Sequence, residues 1–186
     1  MASLPIEHIP VGGWTIDDLD GMPETLVRYE LTDGALTVSP SPSSTHQVVA
    51  ARLTTLLDDS APDHLAGTQA VEIRFNRALT RIPDVLVVRA EAAHRHWFAP
   101  HEVLVAVEIE SPGSHVEDRA TKPTIYAQHL IPHYWRIELD PITAVLHEIG
   151  SDGRYQETSR STERLTVDAP WTFDVPLADL LPRWAR

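Results

Sequence analysis

Polar and apolar positions alternate along residues 27–40, VRYELTDGALTVSP, on either side of Asp33-Gly34. That dipeptide favours a two-residue hairpin turn, so the segment predicts a β-hairpin near the N-terminus. Before it, Thr15 can cap a short helix over residues 14–25. After the loop SPSPSS, the period changes. Val48, Val49, Leu53, Leu56 and Leu57 recur at helical spacing and predict a long helix over 45–59. Strand-like runs then follow at 70–75, 82–88, 103–110 and 133–139. Between the last two, Ser114 with Glu117 three residues on has the spacing of a capping box, so a helix is expected to start there. Further strands are expected at 144–149 and 155–158, joined by GSDG, and the tail PLADLLP reads as one or two helical turns. This order makes an α/β chain with a mixed sheet.

The chain has 186 residues, enough for one well-buried core and short for two, so a single domain is expected. It contains no cysteine, which removes disulfides, thiolate metal sites and cysteine nucleophiles and fits a reducing cytoplasm. The N-terminal MASLPIEHIP does not read as a signal peptide, and no apolar run approaches the roughly 20 residues of a membrane span. A soluble cytoplasmic protein is expected. The net charge of −12 with histidine neutral is the wrong sign for a surface that attracts nucleic acid everywhere. It leaves room for a local basic groove, with Arg74, Arg77, Arg81 and Arg119 as the candidates to line it.

Three polar residues interrupt the apolar pattern. In LVAVEIESPGS, Val103, Val105, Val107 and Ile109 should share one face, and Leu104, Ala106, Glu108 and Glu110 the other. The first half is apolar on both faces, as in a central strand covered on both sides. Glu108 and Glu110 thus fall at the C-terminal end of a strand, where sites in open α/β sheets gather. A buried carboxylate there needs a partner or a metal ion. Glu110, beside the loop, reads equally as a carboxylate that has reached solvent. In RIPDVLVV, Asp84 can be turn chemistry at a strand entry or a site residue. Two carboxylates on neighbouring strands can share Mg²⁺, which takes one or two carboxylates with waters and phosphate. Lys122 is the only lysine in the chain and lies four residues from both Asp118 and Tyr126. It could stabilise developing negative charge or hold a water and help deprotonate it. Pro123 directly after it means that the helix begins near Thr121 or kinks at Lys122. HRHW at 94–97 with His101 has no ligand set at structural-zinc spacing and reads as a polar loop.

Together the blocks RYELTDGALTVSPSPSSTHQVV, IPDVLVV, VAVEIESPGS, DRATKPTIYA and IPHYWRIE, in this order and spacing, resemble the Uma family of putative restriction endonucleases, a branch of the PD-(D/E)xK nuclease superfamily. The resemblance runs from about residue 29 to 155. It implies a restriction-endonuclease-like core, a mixed β-sheet flanked by helices, spanning about 14–160 with the C-terminal tail packed on it. It implies catalytic roles for Asp84 and Glu108, with Lys122 in place of the lysine that superfamily members commonly carry two residues after the acid, where this chain has Glu110. Glu30 and His46 match further family positions near the same cleft; their plain readings are a hairpin-edge charge and a helix-start residue. The implied cofactor is Mg²⁺ or Mn²⁺, held by Asp84, Glu108 and the Ile109 carbonyl, with Glu110 as a further candidate ligand. The implied activity is cleavage of DNA, and a homodimer is expected by analogy with nucleases that cut two strands. Two other readings stay open: a nuclease-fold module that binds or assembles without cutting, and a metal-dependent hydrolase of another phosphate ester.

Overall fold

A computed structural model describes residues 9–22, 28–38, 41–111 and 113–185. The first helix, α1 (Ile16–Asp20), is capped by Thr15, whose hydroxyl and backbone pair reciprocally with Asp18. The part of the expected helix over 23–27 lies outside the described residues. Strands β1 (Tyr29–Thr32) and β2 (Ala35–Val38) form the expected hairpin. Asp33 and Gly34 both have positive φ, 50° and 81°, as a two-residue turn of this kind requires.

Helix α2 (Ser44–Ser60) is capped by Ser43, which accepts a hydrogen bond from the His46 N–H. Strands β3 (Leu65–Gln69), β4 (Glu72–Asn76), β5 (Leu79–Arg81), β6 (Val85–Arg89), β7 (Trp97–Phe98) and β8 (Val103–Ile109) follow. The expected strand over 82–88 is therefore shorter, and Ile82, Pro83 and Asp84 form the connection from β5 to β6. A π-helical turn (Glu117–Thr121) leads into α3 (Lys122–Gln128), then come β9 (His133–Leu139), β10 (Ile142–Ile149), β11 (Tyr155–Ser161), β12 (Arg164–Val167), β13 (Phe173–Pro176) and α4 (Leu177–Leu180).

The main sheet has six strands in the order β11-β10-β9-β8-β6-β3. Only its β8–β9 pair is parallel, so the sheet is mixed as expected. One face carries α2, α4 and the β12–β13 hairpin, with Leu53, Leu57, Val85, Val107, Trp135 and Phe173 in a single apolar cluster. On the other face, α3 and the small β5-β4-β7 sheet bury Leu86, Ala106, Tyr126 and Tyr134. The alternation along β8 holds from Val105 to Ile109, but Val103 turns to the second cluster because the β6–β8 register shifts between Val87 and Val88.

Strand β3 carries no apolar alternation, so periodicity does not announce it. What it needs is Gly67, since a Cβ there would lie 2.8 Å from the backbone nitrogen of Asp58 in α2. The Gly67 N–H instead donates to Asp58 Oδ1 at 2.8 Å, tying strand to helix. Ser114 does not form the expected box with Glu117; its hydroxyl bonds back to the Ser111 backbone. The wider π turn resolves the Pro123 conflict. Helical backbone starts at residue 115, directly after Ser114 as expected, and runs through the π turn into α3. Pro123 thus lies inside a continuous helical stretch, in which the Lys122 N–H reaches the Glu117 carbonyl and the Asp118 carbonyl accepts the Tyr134 hydroxyl. Trp171 packs on the core with its indole N–H on Ser60, whereas Trp184 stays exposed. Among the described residues no helix is long and apolar enough to cross a membrane.

Candidate active site

Register brings the two carboxylates together. Val85 pairs with Val107 in the antiparallel β6–β8 ladder, so one step further Asp84 stands opposite Glu108. Opposite residues in such a ladder share a face. Asp84 closes the end of the ladder with its side chain: Oδ2 accepts the Ile109 N–H at 2.9 Å. The same oxygen lies 3.1 Å from His46 Nε2, and among the described residues Oδ1 has only a long 3.5 Å contact with Arg28. Burial works against the Asp84 charge, but His46, the Ile109 N–H and the Lys122 ammonium outweigh it and hold its pKa below the usual carboxylate value. His46 is buried in the first turn of α2, and among the described residues its Nδ1 has no hydrogen-bond partner.

Glu108 is almost fully buried, with both oxygens engaged. Lys122 Nζ lies 2.7 Å from Oε2, and the Tyr126 hydroxyl donates to Oε1 at 2.6 Å. Lys122 is also 3.0 Å from Asp118 Oδ1. Burial opposes the ammonium, but Glu108, Asp118 and Glu30 outweigh it and raise the Lys122 pKa, so the group stays charged. Burial, with the like charges of Asp84 and Asp118, pushes the Glu108 carboxyl up to about 8 against the pull of Lys122. Glu30, on β1, accepts the Ile82 N–H at 2.7 Å and so fixes the segment that carries Asp84.

Asp84, Glu108, Lys122, Glu30 and His46 thus gather at one end of the β6–β8 pair. Glu110 is held elsewhere. Arg119 donates to it twice, at 2.7 and 2.8 Å, with His115 and Arg136 also in contact. Burial works against its charge, but Arg119 and His115 prevail and keep the carboxyl below its usual value. The arginines expected to line a basic groove are engaged as well. Arg74 pairs with Asp20 and Glu72, Arg77 with Asp17, and Arg119 with Glu110 and Glu138; Arg81 is buried on the Leu31 and Thr80 carbonyls. Arg81 is thus enclosed, whereas Arg77 and Arg119 pair with their carboxylates while 72% and 49% of their side chains stay exposed. Asp118 and Tyr126 contact the site residues directly. Their signal in the sequence was the four-residue spacing on either side of Lys122.

Among the described residues no group of three His, Asp or Glu side chains is arranged to hold a metal ion. The donor chemistry nevertheless fits a hard cation that takes two carboxylates with waters. Asp84 and Glu108 face each other, one Asp84 oxygen is held among the described residues only at 3.5 Å, and four carboxylates (Glu30, Asp84, Glu108, Asp118) surround one ammonium. Two clefts, of about 440 and 630 Å³, flank α3, and neither is lined by Asp84 or Glu108.

A family model described as Uma2, putative restriction endonuclease, matches residues 16–178. No curated protein matches the chain. Among solved structures, the chain is similar to a putative nuclease belonging to DUF820 from Anabaena variabilis. That match has a TM-score of 0.73 and 19% identity and covers 95% of this chain and 100% of the other. At this identity the likeness shows the fold alone, a mixed α/β fold shared with that protein.

Proposed function

The chain belongs to the Uma2 family of putative restriction endonucleases, and we propose on that premise that it is a metal-dependent endonuclease hydrolysing DNA phosphodiester bonds. The observation that carries this reading is the meeting of Asp84 and Glu108 across the β6–β8 ladder, with the Lys122 ammonium 2.7 Å from Glu108. Asp84, Glu108 and the Ile109 carbonyl would hold Mg²⁺ or Mn²⁺, which when bound polarises the scissile phosphate and lowers the pKa of a water. The remaining work falls to the protein. His46 and the Ile109 N–H orient Asp84. Glu30 fixes the Ile82 backbone and with it the loop carrying Asp84. Lys122, kept as an ammonium, offers positive charge to the phosphate as negative charge builds on it and leaves the water's proton to another acceptor. We assign Glu110 to anchoring the π turn through Arg119 rather than to the metal. Cutting both strands of a duplex would take two such sites, hence two copies of the chain.

One observation favours a module that binds without cutting: Lys122 and Tyr126 occupy both Glu108 oxygens. A cleavage assay on plasmid and single-stranded DNA with Mg²⁺ or Mn²⁺ separates the readings. Wild type should cut, and Asp84→Ala and Lys122→Ala should not. Equal cutting by all three proteins would sink the mechanism. DNA binding without cutting in any of them would favour the binding module.

A further inference from the structure

We propose that Asp118 is a second resting place for the Lys122 ammonium, a positioning residue that keeps the charge at the site when Glu108 turns toward a cation. The proposal rests on the metal-dependent reading above. Each Glu108 oxygen accepts one hydrogen bond and keeps a lone pair. A divalent cation on Oε2 would nevertheless sit against the Lys122 ammonium, 2.7 Å from that oxygen, so the repulsion calls for one of the two partners to yield. Tyr126 is poorly placed to do so. It is fully buried, stacked on Phe75 with ring centroids 6.0 Å apart, and packed against Tyr134 at 5.9 Å. Lys122 is the mobile partner, on four rotatable bonds.

Asp118 is placed to receive it. Its Oδ1 lies 3.0 Å from Nζ, yet among the described residues this oxygen accepts no well-aligned hydrogen bond, because the ammonium is directed at Glu108. Only 1% of Asp118 is exposed, so the carboxylate cannot turn to water instead. Its backbone is pinned at both ends: the N–H donates to the Ser114 carbonyl at 2.8 Å, and its own carbonyl accepts the Tyr134 hydroxyl. The π turn that contains it therefore holds the carboxylate still while the lysine swings. A buried carboxylate oxygen within reach of one ammonium and without an aligned hydrogen bond is costly unless the pair forms in some state of the protein. The Glu30 carboxylate adds to the field on the ammonium, but its Oε1 is committed to the Ile82 N–H.

Because Lys122 is the only lysine, protein labelled with ¹⁵N-lysine gives a single Nζ signal, and its ammonium hydrogen exchange can be followed in metal-free protein. The exchange should be slow in wild type and remain slow in Glu108→Gln, where Asp118 takes over the ammonium. In Glu108→Gln/Asp118→Asn it should rise by about tenfold or more relative to Glu108→Gln, the factor that matches loss of one charge-assisted hydrogen bond. Fast exchange in wild type or in Glu108→Gln, or slow exchange in the double variant, would overturn the proposal. Should the double variant fail to fold, Glu108→Gln decides alone. None of these readouts needs turnover or metal, so failure of the nuclease reading would show separately, in the cleavage assay. If wild type cuts, Asp118→Asn should lower kcat with little change in KM, and Asp118→Glu should recover part of it.

Discussion

Lys122 Nζ and Glu108 Oε2 lie 2.7 Å apart, in a place where neither charge can reach bulk water freely. Removing one partner of such a pair strands the other. Lys122→Met should therefore destabilise the metal-free protein by about 3 kcal/mol at about pH 9, above the value of about 8 to which the Glu108 carboxyl is pushed. The loss should shrink at about pH 6, where Glu108 takes up a proton instead of remaining charged. Urea unfolding at the two pH values measures this. Glu108→Gln/Lys122→Met should recover much of the loss, so the two substitutions should be strongly non-additive.

Glu110 offers a pH dependence of opposite origin. Arg119 and His115 hold its carboxyl below the ordinary value against the effect of burial. A depressed acid contributes stability above its unfolded pKa, and that contribution is lost as pH falls through its folded pKa. Glu110→Gln should be less stable than wild type by about 1–3 kcal/mol at pH 7. The gap should close below about pH 4. The same variant should leave Mn²⁺ affinity unchanged, whereas Asp84→Asn should weaken it; isothermal titration reads both.

DNA binding should respond weakly to salt. Each phosphate neutralised adds about 0.9 to the slope of log K against log salt concentration on duplex DNA. Arg74, Arg77 and Arg119 are paired with carboxylates and Arg81 is buried, so contact with a phosphate would first cost these arginines their present partners. Arg28, half-buried beside Asp84, and Lys122 are cations at the site. A slope of magnitude about 3 or less is expected by fluorescence anisotropy. Arg28→Ala should reduce it further.

Gly67→Ala tests the fit of strand to helix. The added methyl would meet the Asp58 backbone, which cannot rotate out of its way. A loss of about 1–3 kcal/mol is expected from overpacking at this contact, visible as a lower urea midpoint. Leu53→Ala, in the core between α2 and the sheet, should cost about 2–5 kcal/mol by opening a cavity.

Much of the fold was legible because local rules and tertiary packing agree. Asp33-Gly34 set the hairpin, the apolar spacing of Val49, Leu53 and Leu57 set α2, and the run from His133 to Leu139 gave β9 at its observed bounds. Strand β3 was not legible, since LAGTQ has neither alternation nor bulk and is ordered by its neighbours β6 and α2. Strands β5, β7, β12 and β13 were missed as well; the first two have only three and two residues.

By itself the sequence determined that a charged residue interrupts each of two apolar runs, and that one lysine stands four residues from an aspartate and a tyrosine. Those are properties of spacing, fixed by the period of a strand or a helix. Only the tertiary structure decided that β6 and β8 pair in the register that sets Asp84 against Glu108. It decided too that a π turn aims Lys122 at them, and that Arg119 is spent on Glu110. Register and ion pairing depend on contacts between segments far apart in the chain, and no local pattern contains them.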